Sequence, residues 1–168
     1  MTPAELLTDS FSRVPALIER ATADLDAQQL SARPGPGTNT IAWLAWHTAR
    51  GQDVQIADLA GTEQVWTADG WYDRFELPFG PDEMGYGMSA GDVARVVATP
   101  DLLNGYLAAV TEKSAAYLAG VGESDLDDIV DEGWTPPVTR GARLVSIVDD
   151  CLQHAGQANY ARGILDRL

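Results

Sequence analysis

DDCLQHAGQANY, Asp149 to Tyr160, reads as the middle of the last helix of this 168-residue chain. Asp150 and His154 are four residues apart, so a helix places them on one face. Ile147, Asp150, His154, Ala158, Ala161 and Leu165 follow one another at steps of three and four. The carboxylate and the imidazole therefore lie in an apolar stripe. A charge buried there is costly unless it is paired or holds a metal.

The same periodicity recurs in three other segments. Leu7, Phe11, Val14, Ile18, Ala21 and Leu25 set an amphipathic helix over Pro3 to Ala27. Pro15 falls inside it, as a kink or as its true start. RPGPG, Arg33 to Gly37, breaks the pattern. The second helix spans Asn39 to Ala60, capped by Thr38, Asn39 or Thr40 and closed by Gly61. A third spans Pro100 to Ala119, with Thr99 as N-cap and Pro100 at its first position. The fourth runs from Thr139 to Leu168, after Pro136 and Pro137.

Between the second and third helices, Thr62 to Ala98 is rich in aromatics and glycine, and Ser89 to Val97 reads as a short helix. No sustained strand alternation occurs. These features predict an all-α fold, a four-helix bundle with one long crossover between helices two and three, in a single domain covering 1–168.

Composition sets outer limits. Eleven basic and 25 acidic side chains give a formal charge of −14. Non-specific nucleic-acid binding needs Lys and Arg to displace counterions, and anionic membrane surfaces attract basic segments, so neither partner is expected. No apolar run is long enough to span a bilayer. The start of the chain, MTPAELLTDSFSR, has early acids instead of a basic-then-apolar leader. With one cysteine, Cys151, the expected setting is the reducing cytoplasm. Cys151 itself reads as a small buried apolar residue.

His47 and His154 are the only histidines in the chain. His47 also sits on an apolar helical face, with Trp43, Leu44, Gly51 and Val54. An i,i+4 pair rises about 6 Å and turns by about 40°, so Asp150 and His154 can reach one ion, and His47 can complete the set from a facing helix. Two imidazoles and a carboxylate suit zinc, nickel or ferrous iron. Three protein ligands leave a coordination position open, as in catalytic zinc sites. The alternatives are plain: His47 donating to a backbone carbonyl, and Asp150 pairing with Arg143 or Arg162. Trp66, Trp71, Tyr72, Phe75 and Tyr86 either wall a pocket over the metal or form the crossover's own small core.

The HAGQ run, His154 to Gln157, resembles the H-x-G-Q signature on the last helix of DinB-like proteins. That superfamily builds a four-helix bundle around three metal-binding histidines, one on helix two and two in an H-x3-H on the last helix. His47 and His154 match two of these positions, and Asp150 stands at the third. A carboxylate there resembles the thiol-dependent branch that includes mycothiol-dependent maleylpyruvate isomerase, with Asp in place of Glu. The runs NTIAWLAWHTARGQDVQIADLAG, VWTADGWYDRF, GYG, PPVT and ARLVSIVDDCLQHAGQ are similar to actinobacterial mycothiol S-transferases of the superfamily.

The resemblance implies a metal-dependent S-transferase, with zinc as cofactor and mycothiol as co-substrate, conjugating the thiol to electrophilic small molecules in detoxification. Thiol-dependent isomerisation and a non-catalytic metal- or ligand-binding bundle are the alternatives. Arg50, one turn after His47, and Gln157, one turn after His154, are candidate substrate contacts, as are Trp71 and Tyr86. For Arg50 and Gln157, a surface or helix-end hydrogen bond is an equal reading. The sequence sets no oligomeric state; bundles of this kind often pair through helix faces, which makes a homodimer the candidate assembly.

Overall fold

Thr2 begins the first helix. Its hydroxyl accepts from the Glu5 amide while the Glu5 carboxylate accepts from the Thr2 amide, and Pro3 fills the first helical position. The computed structural model describes residues 1–167. Helix α1 (Pro3–Thr22) passes through Pro15 without ending and buries Phe11, Val14, Ile18 and Ala21. It stops earlier than its stripe implies, because Asp24 turns to a φ of 59°. Asp26 and Gln29 then make their own capping box for α2 (Ala27–Leu30). Leu25 falls in the turn, half-buried against the core.

Three more long helices complete the bundle: α3 (Ile41–Ala60), α7 (Pro100–Leu118) and α8 (Arg140–Leu165). Thr40, Thr99 and Thr139 cap them, each hydroxyl accepting from the amide three residues on. Around the bundle the order is α1, α7, α3, α8, so α3 packs beside α8 and diagonally from α1. This is the expected all-α, four-helix architecture.

The crossover folds over α3 as three short helices, α4 (Val65–Ala68), α5 (Trp71–Phe75) and α6 (Ala90–Val93), the last capped by Ser89. It changes the character of α3. Every residue from Ile41 to Asp53 is buried, including Arg50, Gln52 and Asp53. The one-faced helix expected from sequence is instead buried all round, with the bundle on one side and the crossover on the other.

Before α8, a 3₁₀ turn (Glu123–Asp127) leads into a small antiparallel hairpin, β1 (Ile129–Asp131) with β2 (Val138–Thr139), in which Ile129 pairs with Thr139. Sequence periodicity gave no sign of it, because strands this short carry no alternation. Arg140 ties this corner down, donating to the Tyr117 hydroxyl, the Asp128 carboxylate and the Leu59 carbonyl. Among the described residues, no helix is long and apolar enough to cross a membrane.

Candidate metal centre

His47 comes from the middle of α3, and Asp150 and His154 from successive turns of α8. Gly51 of α3 faces Asp150, and a Cβ added there would make ordinary contact with Asp150 Oδ2 at 3.5 Å. Among the described residues, these three offer one donor atom each, all within 4.8 Å of one another.

In the neutral form of each imidazole the proton is directed away from that point. His47 Nδ1 donates to the Met84 carbonyl of the crossover, which leaves Nε2 with its lone pair. His154 Nδ1 lies 3.1 Å from Gln157 Oε1, an acceptor, which again leaves Nε2 as the free donor atom. That Nε2 is 3.4 Å from Asp150 Oδ1. Two lone-pair atoms facing each other need a cation between them, either a proton or a metal. The edge of a tetrahedron built on bonds of about 2.0–2.1 Å is about 3.3–3.4 Å. The Asp150–His154 separation matches such an edge, and the group as a whole, its donor atoms within 4.8 Å of one another, could hold a divalent metal ion.

The site is dry on one side and open on the other. His47 is only 6% exposed. Trp43, one turn earlier, stacks on its ring with centroids 4.5 Å apart and meets the His154 ring edge-on at 6.0 Å. The side chains of His154 and Asp150 are 17% and 44% exposed, so the unfilled side of the donor set faces solvent along α8. Burial lowers the pKa of His47 below its ordinary value and so favours the neutral, ligating form. When His154 also carries a proton on Nε2, that proton faces Asp150, and the contact holds the carboxyl below and the imidazole above their ordinary values.

Neither arginine offered as a partner for Asp150 reaches it. Arg143 pairs with Asp131 and Arg162 with Asp166. The backbone-carbonyl reading of His47 holds at Nδ1 and leaves Nε2 free.

The other candidates are dispersed. Gln157 orients His154 and lines a mainly apolar cavity of about 200 Å³ with Leu44, Tyr160 and Ile164. Arg50 is fully buried and donates to the Glu83 and Pro81 carbonyls, Gln64 and the Tyr106 hydroxyl. With its donors held by the protein, it clamps the crossover to α3 and faces no ligand. Trp71 packs on Tyr106 and into the space left by Gly105 on α7, diagonal to α8. Trp66, Tyr72 and Phe75 join it, so these four form the crossover's own core. Tyr86 is 88% exposed and walls nothing.

Three participants were missed in the sequence: Trp43 as the ring under His47, the Met84 carbonyl, and Glu83. Trp43 had a signal, its i,i+4 spacing to His47. A backbone carbonyl leaves none.

A DinB superfamily model matches residues 10–158. The chain belongs to the DinB superfamily. This DinB-like chain is also similar to a solved crystal structure, described as a conserved protein of a locus from Enterococcus faecalis. The two are 34% identical with a TM-score of 0.93, over 100% of this chain and 99% of that one. No curated protein matches the sequence. The superfamily includes metal-dependent enzymes, and the His47–Asp150–His154 group places a compatible donor set in this DinB bundle.

Proposed function

We propose that this DinB-like protein is a metal-dependent thiol S-transferase that conjugates mycothiol to electrophilic small molecules. The observation that carries the reading is the donor set itself: two Nε2 atoms and one carboxylate, with both Nδ1 protons engaged elsewhere and one side open to solvent. His47, Asp150 and His154 would hold the ion, with zinc the best match to these ligands. When bound, such an ion supplies the acidity that removes the proton from an incoming thiol.

The chain's own residues do the rest. Trp43 and the crossover exclude water behind His47. Gln157 fixes the His154 ring. The cavity beside Gln157 offers Leu44, Tyr160 and Ile164 to an apolar part of a substrate. In the reaction a sulfur–carbon bond forms, the bond from that carbon to its leaving group breaks, and the thiol proton departs with the leaving group. Cys151 takes no part: it is fully buried, and burial pushes its thiol far above the ordinary range.

Mycothiol is supported by the similarity of the long sequence runs to mycothiol S-transferases. A carboxylate at Asp150 also favours a second reading, isomerisation with the thiol regenerated. Cytoplasmic residence belongs to the same proposal, as does a homodimer, supported by Val145, Leu152 and Tyr160 exposed on α8.

The test is consumption of mycothiol with a simple electrophile by zinc-loaded and chelator-stripped protein, with cysteine and glutathione beside it. Zinc-dependent, mycothiol-selective conjugation is expected. Thiol regenerated with isomerised substrate would favour the second reading. No turnover with any thiol despite bound metal would remove both.

A further inference from the structure

The crossover reaches the metal site through one short stretch, Glu83 to Gly85. Glu83 is only partly buried and looks in the sequence like one more surface acid. Its carboxylate does not join the donor group. Instead Glu83 Oε1 accepts from the two amides that follow it, Met84 N at 3.0 Å and Gly85 N at 2.7 Å. Two bonds to one oxygen fix the turn. The Met84 carbonyl between those amides is the acceptor for His47 Nδ1. Gly85 then lies flat against the ring, at a φ of +97°, where a Cβ would come within 2.8 Å of His47 Nδ1 and 3.0 Å of Trp46. From the other side, Arg50 holds the Glu83 carbonyl at 3.1 Å.

We propose that Glu83 is a positioning residue of the metal centre: by cupping the Met84 and Gly85 amides it holds the Met84 carbonyl on His47 and so presents Nε2, as a lone pair, to the ion. The inference rests on the metal-site reading above. A ligating imidazole is ordinarily oriented by an acceptor on its other nitrogen, and losing such a partner typically lowers metal affinity about 10–100-fold. Here the acceptor is a backbone carbonyl, which no substitution removes. The side chain that places it is the part that can be changed. His154 has the simpler arrangement, a direct contact with Gln157. The two histidines are thus held by different means, one from its own helix and one from the crossover.

The experiment compares zinc affinity by competition with a chromophoric chelator, and the visible spectrum of the cobalt-substituted protein, in wild type, Glu83→Ala, Glu83→Gln and Arg95→Ala. Glu83→Gln keeps an oxygen acceptor in place. Arg95→Ala is a control, since Arg95 contacts the same crossover at the Pro78 carbonyl, outside this relay. The expected result is about a 10–100-fold loss of zinc affinity and an altered cobalt spectrum in Glu83→Ala. Glu83→Gln should recover most of both, and Arg95→Ala should match wild type. Glu83→Ala with wild-type affinity and spectrum would overturn the proposal. So would an equal loss in Arg95→Ala, which would mean general loosening of the crossover. Wild type is read first: if it takes up no zinc, the metal reading itself fails, a result distinct from either of these.

Discussion

His47 and His154 approach from facing helices, their ring centroids 4.8 Å apart, and each has its Nδ1 proton engaged by a partner that is not the other. That relationship leaves both Nε2 atoms free to meet a metal ion beside Asp150.

In the proposed site Asp150 is the third donor. Asp150→Ala should lower zinc affinity by at least the roughly 10–100-fold that removal of a mere orienting partner costs. The far-UV circular dichroism should stay that of a helical bundle, because the side chain is half-exposed. Asp150→His, which restores the superfamily's three-histidine pattern, should bind zinc again. An Asp150→His protein with no zinc would contradict the placement of Asp150 in the donor set.

The stripped protein should show a particular pH dependence. The His154 pKa is raised above its ordinary 6.5 by Asp150, so its stabilisation is fully present below about 6.5 and is lost as pH rises through the raised value. The Asp150 pKa is depressed, so its stabilisation is present above the ordinary 3.8 and is lost as pH falls through the lower value. The pair therefore supports the stripped fold most between about pH 4 and 6.5. His47 acts oppositely: its lowered pKa costs stability on acidification below about 6.5. Denaturant titrations should find His154→Ala more damaging near pH 5.5 than near pH 8.5. Zinc affinity should run the other way, rising with pH, because ligation requires neutral His154.

The clamp between α3 and the crossover should be expensive to break. Asp53 accepts from the Val65 and Trp66 amides and the Tyr106 hydroxyl, and it lies 3.7 Å from the fully buried Arg50. Asp53→Ala leaves that guanidinium without its counter-charge and should cost about 3–5 kcal/mol. Tyr106→Phe removes one hydroxyl from the same network and should cost about 1–3 kcal/mol. Urea unfolding of both variants checks the order and the sizes.

Cys151 should be inert. In the native protein it should resist alkylation, as read by mass spectrometry, and become reactive only on unfolding. Cys151→Ala should keep wild-type zinc stoichiometry and thiol transfer. Rapid labelling of the folded protein would contradict its burial against Thr48 and Gln52.

The convergence of His47, Asp150 and His154 was legible in the sequence because they break a pattern: polar side chains at core positions, two of them spaced for one helix face. The four long helices were legible for the related reason that their stripes and threonine caps are local. Arg50 was not. One turn after His47 on a helix read as one-sided, it looked available to a ligand. In the fold it is enclosed by carbonyls from Pro81 and Glu83, thirty or more residues away, which carry no side-chain signature. Trp71 and Tyr86 differ for the same reason. Their fate depends on which helix the crossover lies on, and the decisive cue, the gap left by Gly105 for Trp71, is a tertiary one.

The proposed metal centre is tested most simply by a zinc titration of chelator-stripped protein, with His154→Ala beside it. One tightly bound zinc per chain is expected in the wild type, with loss of that site in the variant. A wild type that binds zinc no better than His154→Ala would contradict the proposed centre.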